Sequence, residues 1–534
     1  MKLFLLCLLC SYTCIIAQRN VVLIIADDLS SEYCGFIENH RDTVKLPNIR
    51  RLLAKGIVFN KAWSNPLCSP TRAGILTGRY SFRTGVGDAV GGQGSRVLDT
   101  AEMTIPRMLH IFKPNGIAKA NIGKWHLHSA MPQTNYILPL TLGYDHYEGN
   151  FAGQLPSFYS WNKIKDGKSA VCNTYATTEL TNNAIDWVKS VPQNKPFFLW
   201  LAYNAPHSPF HLPPSNLHSY TELKGIPSDT ASSVIPYFKA MSEALDKEIG
   251  RLFDTLQAHN IMDSTDIIFI GDNGSDMKVS QVKGGAKGGI SQEGISVPFI
   301  ISGPSVKNPG RYSNALVNTH DLFATIIELM GFSNWKQNIL QSKPVDSKSL
   351  LPIIYDQDSI IRDWVFSEVF KLTPVAGDGK TMRNKEYKLM DYDNGTQKFV
   401  NLLKDPEENI DLLQANLTGN DKTNYEYLCG EMSKLVGTGA FCTALSVQDS
   451  DTDEYFTSYF DSQSSLLTLQ FHKPLQKQAT VHIYSANGKL EQSVEILPHQ
   501  YSIQVDMNNV AAGLKTISLI HDDLQFKKAI LIHK

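Results

Sequence analysis

Three apolar runs, each closing on polar residues, constrain this chain's fold more than any other feature. "RNVVLIIADDLS" (19–30) ends in two acids, "PFFLWLAYNAPHSPF" (196–210) ends near His207, and "TDIIFIGDNGSD" (265–276) ends in Asp and Asn. Runs this apolar read as strands buried on both faces, as in a parallel sheet. Between the second and third, residues 234–257 carry Phe238, Met241, Leu245, Ile249, Leu252 and Leu256. Those spacings of three and four describe one face of a helix. Strands alternating with helices predict an α/β fold with a large, mostly parallel sheet flanked by helices. In such sheets functional groups collect at the carboxyl ends of the strands. All three strands deliver polar residues there, which predicts one shared site.

With 534 residues, 42% hydrophobic and 19% charged, the chain can bury a large core and form more than one domain. Its net charge of −2 gives no basic footprint, so no nucleic-acid partner is expected. "MKLFLLCLLCSYTCIIAQRN" reads as a secretory signal peptide cut near Ala17. A membrane anchor is the alternative, but the run is short and no later segment is long enough to span, so the mature chain is expected to lack a transmembrane segment. Cys7, Cys10 and Cys14 would leave with that peptide, and Cys10 and Cys14 lack the context for lipid attachment. Cys34, Cys68, Cys172, Cys429 and Cys442 remain, an odd number, so at least one is unpaired or chemically altered. Cys429 and Cys442 are close enough in sequence to bridge.

Beyond about residue 360, "WVFSEVF", "EYKLMDY" and "QKFVNLL" predict a small antiparallel sheet. Residues 446–465 are acidic and rich in Ser and Asp, the composition of a linker. The tail is strand-like throughout, with Asn487-Gly488 as a hairpin turn signal. No internal repeat is present. The expected organisation is a signal peptide (1–17), the main α/β domain (18–358), an antiparallel C-terminal subdomain (359–445), an acidic linker (446–465) and a small β-sandwich (466–534).

The chemistry begins with oxygen. Asp27-Asp28 and Asp272-Asn273 follow two of the apolar strands. Hard divalent cations such as calcium take six to eight oxygens from carboxylates and amide carbonyls, and the set lacks the Cys and His content of a zinc site. Either motif alone reads better as a solvated loop, helix cap or ordinary turn; the pair, each after an apolar strand, points to a metal. "IGKWHLHS" adds Lys124, His126 and His128, "NAPHSPF" adds His207, and "GGAKGGISQEGISVP" adds Lys287. Arg72, Lys124 and Lys287 supply positive charge for a tetrahedral anion, and His126 and His207 can move protons near neutral pH.

"NPLCSPTRAGILTG" (65–78) places Cys68 at or just before a helix start, with Pro70 in the first turn and Arg72 one turn on. The thiol has three readings: structural, a nucleophilic thiolate, or the precursor of another group. Soft sulfur beside a hard cation is a poor match, and an oxygen nucleophile suits calcium better, which argues for conversion.

Cys68-Ser69-Pro70-Thr71-Arg72 followed by Leu76-Thr77-Gly78-Arg79 resembles the signature of the type I, formylglycine-dependent sulfatases, whose cysteine is oxidised to an aldehyde within Cys-x-Pro-x-Arg. The resemblance continues in order through "ADD", "KLPNIRRLLAKGIVFNKAWS", "GKWHL", "LAYNAPHSP", "GDNG", "AKGG…VP" and "DLFATIIELMG", over roughly residues 19–415. It implies an alkaline-phosphatase-like sulfatase fold and a sulfuric ester hydrolase. It also implies that Asp27, Asp28, Asp272, Asn273 and the modified Cys68 ligate Ca2+. Arg72 would steady the formylglycine hydrate, and Lys124 and Lys287 would grip the sulfate. His126 would take a proton from the remaining hydroxyl as the sulfated intermediate collapses. His207 would serve as general acid for the leaving alcohol.

This sequence departs from the family's pattern in places. Thr71 stands where Ser or Ala is common, and His128 where Gly is common, which places His128 on the substrate side of the pocket. Gln292-Glu293-Gly294-Ile295-Ser296 lacks the usual arginine before Val-Pro, although Lys287 keeps its spacing to Pro298. A further polar residue of the sulfate pocket is expected within 143–165 without an assignable position. The tail, "VHIYSANGKLEQSVEI…VAAGLKTISLI…FKKAILI", resembles the C-terminal sorting domain of type IX secretion systems, with a carbohydrate-binding or plain β-sandwich module as the alternative. In a bacterial protein the sequons at Asn394 and Asn416 carry no meaning.

The expected protein is a secreted or cell-surface sulfatase, matured by a formylglycine-generating enzyme and exported by the type IX machinery. Its expected substrate is a sulfated polysaccharide or oligosaccharide of algal type such as ulvan. The rivals are a phosphodiesterase or phosphonate hydrolase of the same superfold and a non-catalytic polysaccharide-binding protein with Cys68 unconverted.

Overall fold

A computed structural model describes residues 19–437 and 456–532, apart from 39, 92–95, 229, 283–284, 462–463, 472–474, 476, 486–489, 511–512 and 522–523. The signal-peptide segment, Cys442, Asn487-Gly488 and most of the acidic stretch lie outside the described residues. The chain forms two compact units, one up to Ile410 and one from Asp411.

The first unit is built on a ten-stranded sheet. Its strands are β1 (Asn20–Ala26), β2 (Gly56–Trp63), β3 (Ala118–Lys124), β4 (His146–Asn150), β5 (Trp161–Lys165), β6 (Lys168–Cys172), β7 (Phe197–Ala202), β8 (Thr265–Gly271), β9 (Phe299–Ser302) and β10 (Arg311–Asn318). Their spatial order is β10-β2-β9-β8-β1-β7-β3-β4-β5-β6. The central run β8-β1-β7-β3-β4 is parallel throughout. β9 runs antiparallel to both its neighbours, and β4-β5-β6 continues as an antiparallel edge. The sheet is therefore mixed and mostly parallel, as the apolar runs predict.

Alternation along β1 sends Val22, Ile24 and Ala26 into one core and Val21, Leu23 and Ile25 into the other. Both faces are buried, which is why the run shows no polar alternation. The helices that matter most to this architecture are α1 (Cys68–Thr77), α2 (Ile105–Phe112), α3 (Ala176–Ser190), α4 (Ala231–Ala258) and α5 (Leu322–Leu329). The first core is covered by α3 and α4, the second by α1, α2 and α5. The six apolar residues read from 234–257 all lie on the buried face of α4. The small antiparallel sheet comprises β11 (Val365–Val369), β12 (Gly379–Arg383), β13 (Tyr387–Tyr392) and β14 (Gln397–Asn401) in sequential order. β12 was not among the strand segments read from the sequence.

The second unit begins with α6 (Gly419–Val436) and then turns to strands. Two sheets, β15 (Phe456–Asp461), β16 (Leu466–Phe471) and β19 (Ser502–Asp506), and β17 (Ala479–Ser485), β18 (Leu490–Ile496), β20 (Gly513–His521) and β21 (Leu524–Ile532), enclose one core that includes Phe456, Leu469, Val481, Ile483, Val505 and Ile517. Residues 456–461 are therefore a strand paired with β16 and not the end of a linker. Phe456, fully buried, and Phe460, packed against the same core, are the reason. Cys34, Cys68 and Cys172 are free and buried, and Cys429 is in a disulfide. Among the described residues no helix is long and apolar enough to cross a membrane.

Glu368 on β11 accepts a hydrogen bond from the Phe82 N–H at 2.8 Å. Burial pushes its carboxyl up to about 8, from an ordinary value of 4.5. A group whose native pKa lies above its unfolded value stabilises the fold below the unfolded pKa and loses that contribution as pH rises through the native one. Glu368 should therefore make stability fall between about pH 4.5 and pH 8. Denaturant titrations across that range should show a shallower fall for Glu368→Gln than for the parent protein.

Candidate active site

Cys68 is the first residue of α1, preceded by Leu67, and the whole helix is buried. No side chain caps this end, so its free N–H groups and dipole favour negative charge there. The Cys68 Sγ lies 3.0 Å from His126 Nδ1. The other ring nitrogen, Nε2, is 2.8 Å from the Val90 carbonyl, which can only accept. The proton therefore sits on Nε2, and Nδ1 faces residue 68 as an acceptor. Ser69 fixes the same contact from behind: its hydroxyl donates to the His126 carbonyl at 2.7 Å and accepts from Val90 N–H at 3.0 Å. Burial pushes the His126 pKa well below its usual value, so the ring is neutral. Its backbone holds φ +50°, a conformation rare outside glycine.

One turn along α1, Arg72 is fully buried and ties the helix to two strand ends. Its Nε and Nη2 donate to Asp272 Oδ2 at 3.2 and 2.7 Å, and Nη1 donates to the Lys124 carbonyl at 2.8 Å.

The acids follow from sheet register. Ala26 on β1 pairs with Gly271 on β8, so Asp27 and Asp272 are adjacent just past the strands. The Asp28 N–H donates to Asp272 Oδ1 at 3.1 Å, and Asn273 Nδ2 donates to Asp28 Oδ1 at 2.7 Å. Lys124, at the end of β3, reaches Asp27 Oδ2 at 2.6 Å, and Lys287 reaches Asp28 Oδ1 at 2.7 Å. His207 Nε2 lies 3.6 Å from Asp28 Oδ2, and its Nδ1 is 2.7 Å from the Ser208 carbonyl. Burial pushes the His207 pKa down to about 3. Burial alone would raise Asp28, but His207, Lys287 and Lys124 together hold it well below the carboxylate range. Asp27 goes the other way, because burial there outweighs Lys124.

These residues fit a hard divalent cation. Asp27, Asp28 and His207 place one ligand atom each within 4.8 Å of the others. Asp27 Oδ1 and Asn273 Oδ1 are buried with no hydrogen-bond partner. Buried acceptors without partners are rare, and carboxylate and amide oxygens are the donors that calcium or magnesium takes. The structure thus brings together all the site residues read from the sequence except His128: Asp27, Asp28, Cys68, Arg72, Lys124, His126, His207, Asp272, Asn273 and Lys287.

His128 corrects an expectation. Its Nδ1 accepts from Trp125 Nε1 at 3.1 Å and its Nε2 is 2.8 Å from the Leu98 carbonyl. Both nitrogens are used and burial lowers its pKa to about 4, so His128 braces Trp125 and does not face a substrate. The missing arginine near Ser296 does not displace Lys287. The Lys287 N–H donates to the Ser275 carbonyl at 3.0 Å, the Gly274 N–H to Gly294 at 2.9 Å, and the Ser31 N–H to Ser296 at 3.2 Å. Within 143–165, the end of β4 contributes Asn150, whose Oδ1 is buried and unpartnered, and the loop after it contributes Gly153, where a Cβ would lie 2.4 Å from the His126 ring. Neither carried a motif that could single it out.

A sequence profile of the family described as Sulfatase matches residues 19–332. Human N-acetylgalactosamine-6-sulfatase is 26% identical over 379 residues, covering 63% of this chain. The match spans 65% of that relative's length, just under two thirds. The ulvan-active sulfatase of Formosa agariphila is 24% identical over 444 residues, covering 78% of this chain and 80% of the relative. Among solved structures, Ps i-CgsB in complex with k-i-k-neocarrahexaose superposes with a TM-score of 0.66 at 25% identity, over 78% of this chain and 92% of that one. With more than half of its length matched by the family profile, and with the alkaline-phosphatase-like architecture of these neighbours, the chain belongs to the sulfatase family.

Proposed function

We propose that this protein hydrolyses sulfate esters on a sulfated polysaccharide or oligosaccharide, with Cys68 oxidised to formylglycine and Ca2+ held by Asp27, Asp28, Asp272, Asn273 and residue 68. The observation that carries the reading is the placement of Cys68. It starts a buried helix between a neutral histidine acceptor and a cluster of three carboxylates and three cations. A hydrated formylglycine supplies the oxygen nucleophile that a thiol cannot offer beside a hard cation. The cation, when bound, supplies electrostatic stabilisation of charge on the reacting sulfate.

The chain's own groups do the rest. Lys124 and Lys287 hold the sulfate oxygens, and fixed positive charge in a water-poor site is the largest expected source of rate. Arg72 orients residue 68 through α1 while it holds Asp272. His126 Nδ1, kept free of a proton by the Val90 contact on Nε2, accepts the proton of the hydroxyl on residue 68. His207 Nε2 faces the site because Nδ1 is bound to Ser208, and it gives its proton to the leaving alcohol. An anionic ester at the site favours the protonated ring that burial disfavours in the free protein.

The substrate class rests on the relatives, and the 24% identity to an ulvan-active sulfatase supports an algal polymer of that type. A polymer too large to import suits the secretory leader read at 1–17 and the sorting-type tail read at 466–534. We therefore place the protein outside the cell or on its surface, exported by type IX machinery after a host enzyme converts Cys68.

The test is the mass of the tryptic peptide Ala62–Arg72 from the native host. A peptide lighter by the thiol-to-aldehyde difference, with sulfate released from a sulfated oligosaccharide, supports the reading; an intact thiol and no sulfate release would sink it. Cys68→Ala should abolish turnover, by at least about a thousandfold, with the melting temperature little changed. His207→Ala should slow alkyl sulfates far more than activated aryl sulfates; equal losses on both would remove it from the general-acid role. Chelation should lower both activity and melting temperature, and added Ca2+ should restore both.

A further inference from the structure

Asn204, in the loop after β7, is a buried residue of the site with no assigned part. It is 3% exposed, and neither its Oδ1 nor its Nδ2 has a hydrogen-bond partner. A carboxamide carries two donor hydrogens and an accepting oxygen, and burying all of them empty is costly. Its position follows from β7. Ala202, two residues earlier, pairs with Ile25 of β1 and Gly123 of β3. Asn204 therefore stands between Asp27, beyond β1, and Lys124-Trp125, at the end of β3. Phe198, Trp200 and Ala202 pack in the core on the α1 side, whereas Tyr203 and Ala205 pack in the opposite one. Alternation puts Asn204 on the α1 side, with Arg72 and Asp27.

The strand ends around it hold an excess of acceptors. Asp27 Oδ1, Asn273 Oδ1 and Asn150 Oδ1 are buried and unpartnered beyond β1, beyond β8 and at the end of β4. Asn204 Nδ2 is an unpartnered donor beside them, as is Trp200 Nε1 further back on β7. A sulfate oxygen only accepts, so it would leave Asn204 Oδ1 empty; a water or hydroxyl satisfies both ends of the amide at once.

We propose that Asn204 is a positioning residue of this site, whose carboxamide grips through both ends one water or hydroxyl oxygen beside Asp27. This rests on the sulfate-ester reading for the identity of the substrate. The oxygen has two sources, a water carried by the bound cation or a sugar hydroxyl next to the ester. The Asn204 carbonyl accepts from the His207 N–H at 2.9 Å, so replacing the side chain leaves that turn bond in place.

The experiment uses the matured full-length protein with Asn204→Leu and, should that variant fail to fold, Asn204→Ala. Metal-stripped protein is titrated calorimetrically with CaCl2, and KM and kcat are measured on p-nitrophenyl sulfate and on a sulfated oligosaccharide at saturating calcium. Calcium affinity weaker by about 10- to 100-fold identifies a cation-borne water. Unchanged calcium affinity with KM raised about tenfold or more for the oligosaccharide alone identifies a sugar hydroxyl. Unchanged calcium affinity together with unchanged KM on both substrates overturns the proposal. Parent protein that turns over neither ester sinks the sulfatase reading, and the calcium titration then decides Asn204 by itself, an unchanged affinity counting against it.

Discussion

The buried guanidinium of Arg72 holds this site together. It is fully removed from water and remains charged because Asp272 accepts two of its N–H bonds and the Lys124 carbonyl a third. Such a fork fixes direction as well as distance. Here it fixes α1 relative to the ends of β8 and β3, and so fixes residue 68 relative to the acids. An unpaired charge at that depth would be prohibitive, and removing one partner of a buried pair typically costs about 3–5 kcal/mol. The geometry of the nucleophile and the stability of this corner are therefore one constraint.

The remaining charges are arranged on the same principle. Three cations, Arg72, Lys124 and Lys287, face three carboxylates, Asp27, Asp28 and Asp272. The site is close to neutral by itself, so a cation and an anionic ester arriving together disturb it less than either alone. The histidines are kept neutral by burial, and in each one nitrogen is committed to a backbone carbonyl, so the other has a defined role. Asp28, at φ +65°, and His126, at φ +50°, hold left-handed backbone at the two sides of the site. Strain of that kind persists where the surrounding bonds over-determine it, as they do here.

How much of this was legible in the sequence depended on the kind of signal. β1, β7 and β8 could be read because burial on both faces makes them apolar without interruption. β3 could not: "AKANIGK" carries two lysines, an asparagine and a glycine, yet six of its seven residues are buried. Lys119 finds Asp145, Lys124 finds Asp27, and Gly123 is needed because a Cβ would lie 1.9 Å from the Ala202 carbonyl. Partners distant in sequence made polar residues acceptable in a central strand. His128 misled for the mirror-image reason, since it shares a motif with Lys124 and His126 but turns its ring into the core, where Trp125 and a carbonyl satisfy it.

The sequence by itself determined the α/β class, the helix start at Cys68, the family and the identities of the site's charged groups, because apolar runs, a first-turn proline and contiguous motifs are local. It could not determine which groups meet. Register between β1 and β8 set Asp27 beside Asp272, and the crossing of β7 between β1 and β3 buried Asn204 without a partner. Only tertiary structure decided these points, since hydrogen-bond satisfaction is a property of the packed neighbourhood and not of the residue.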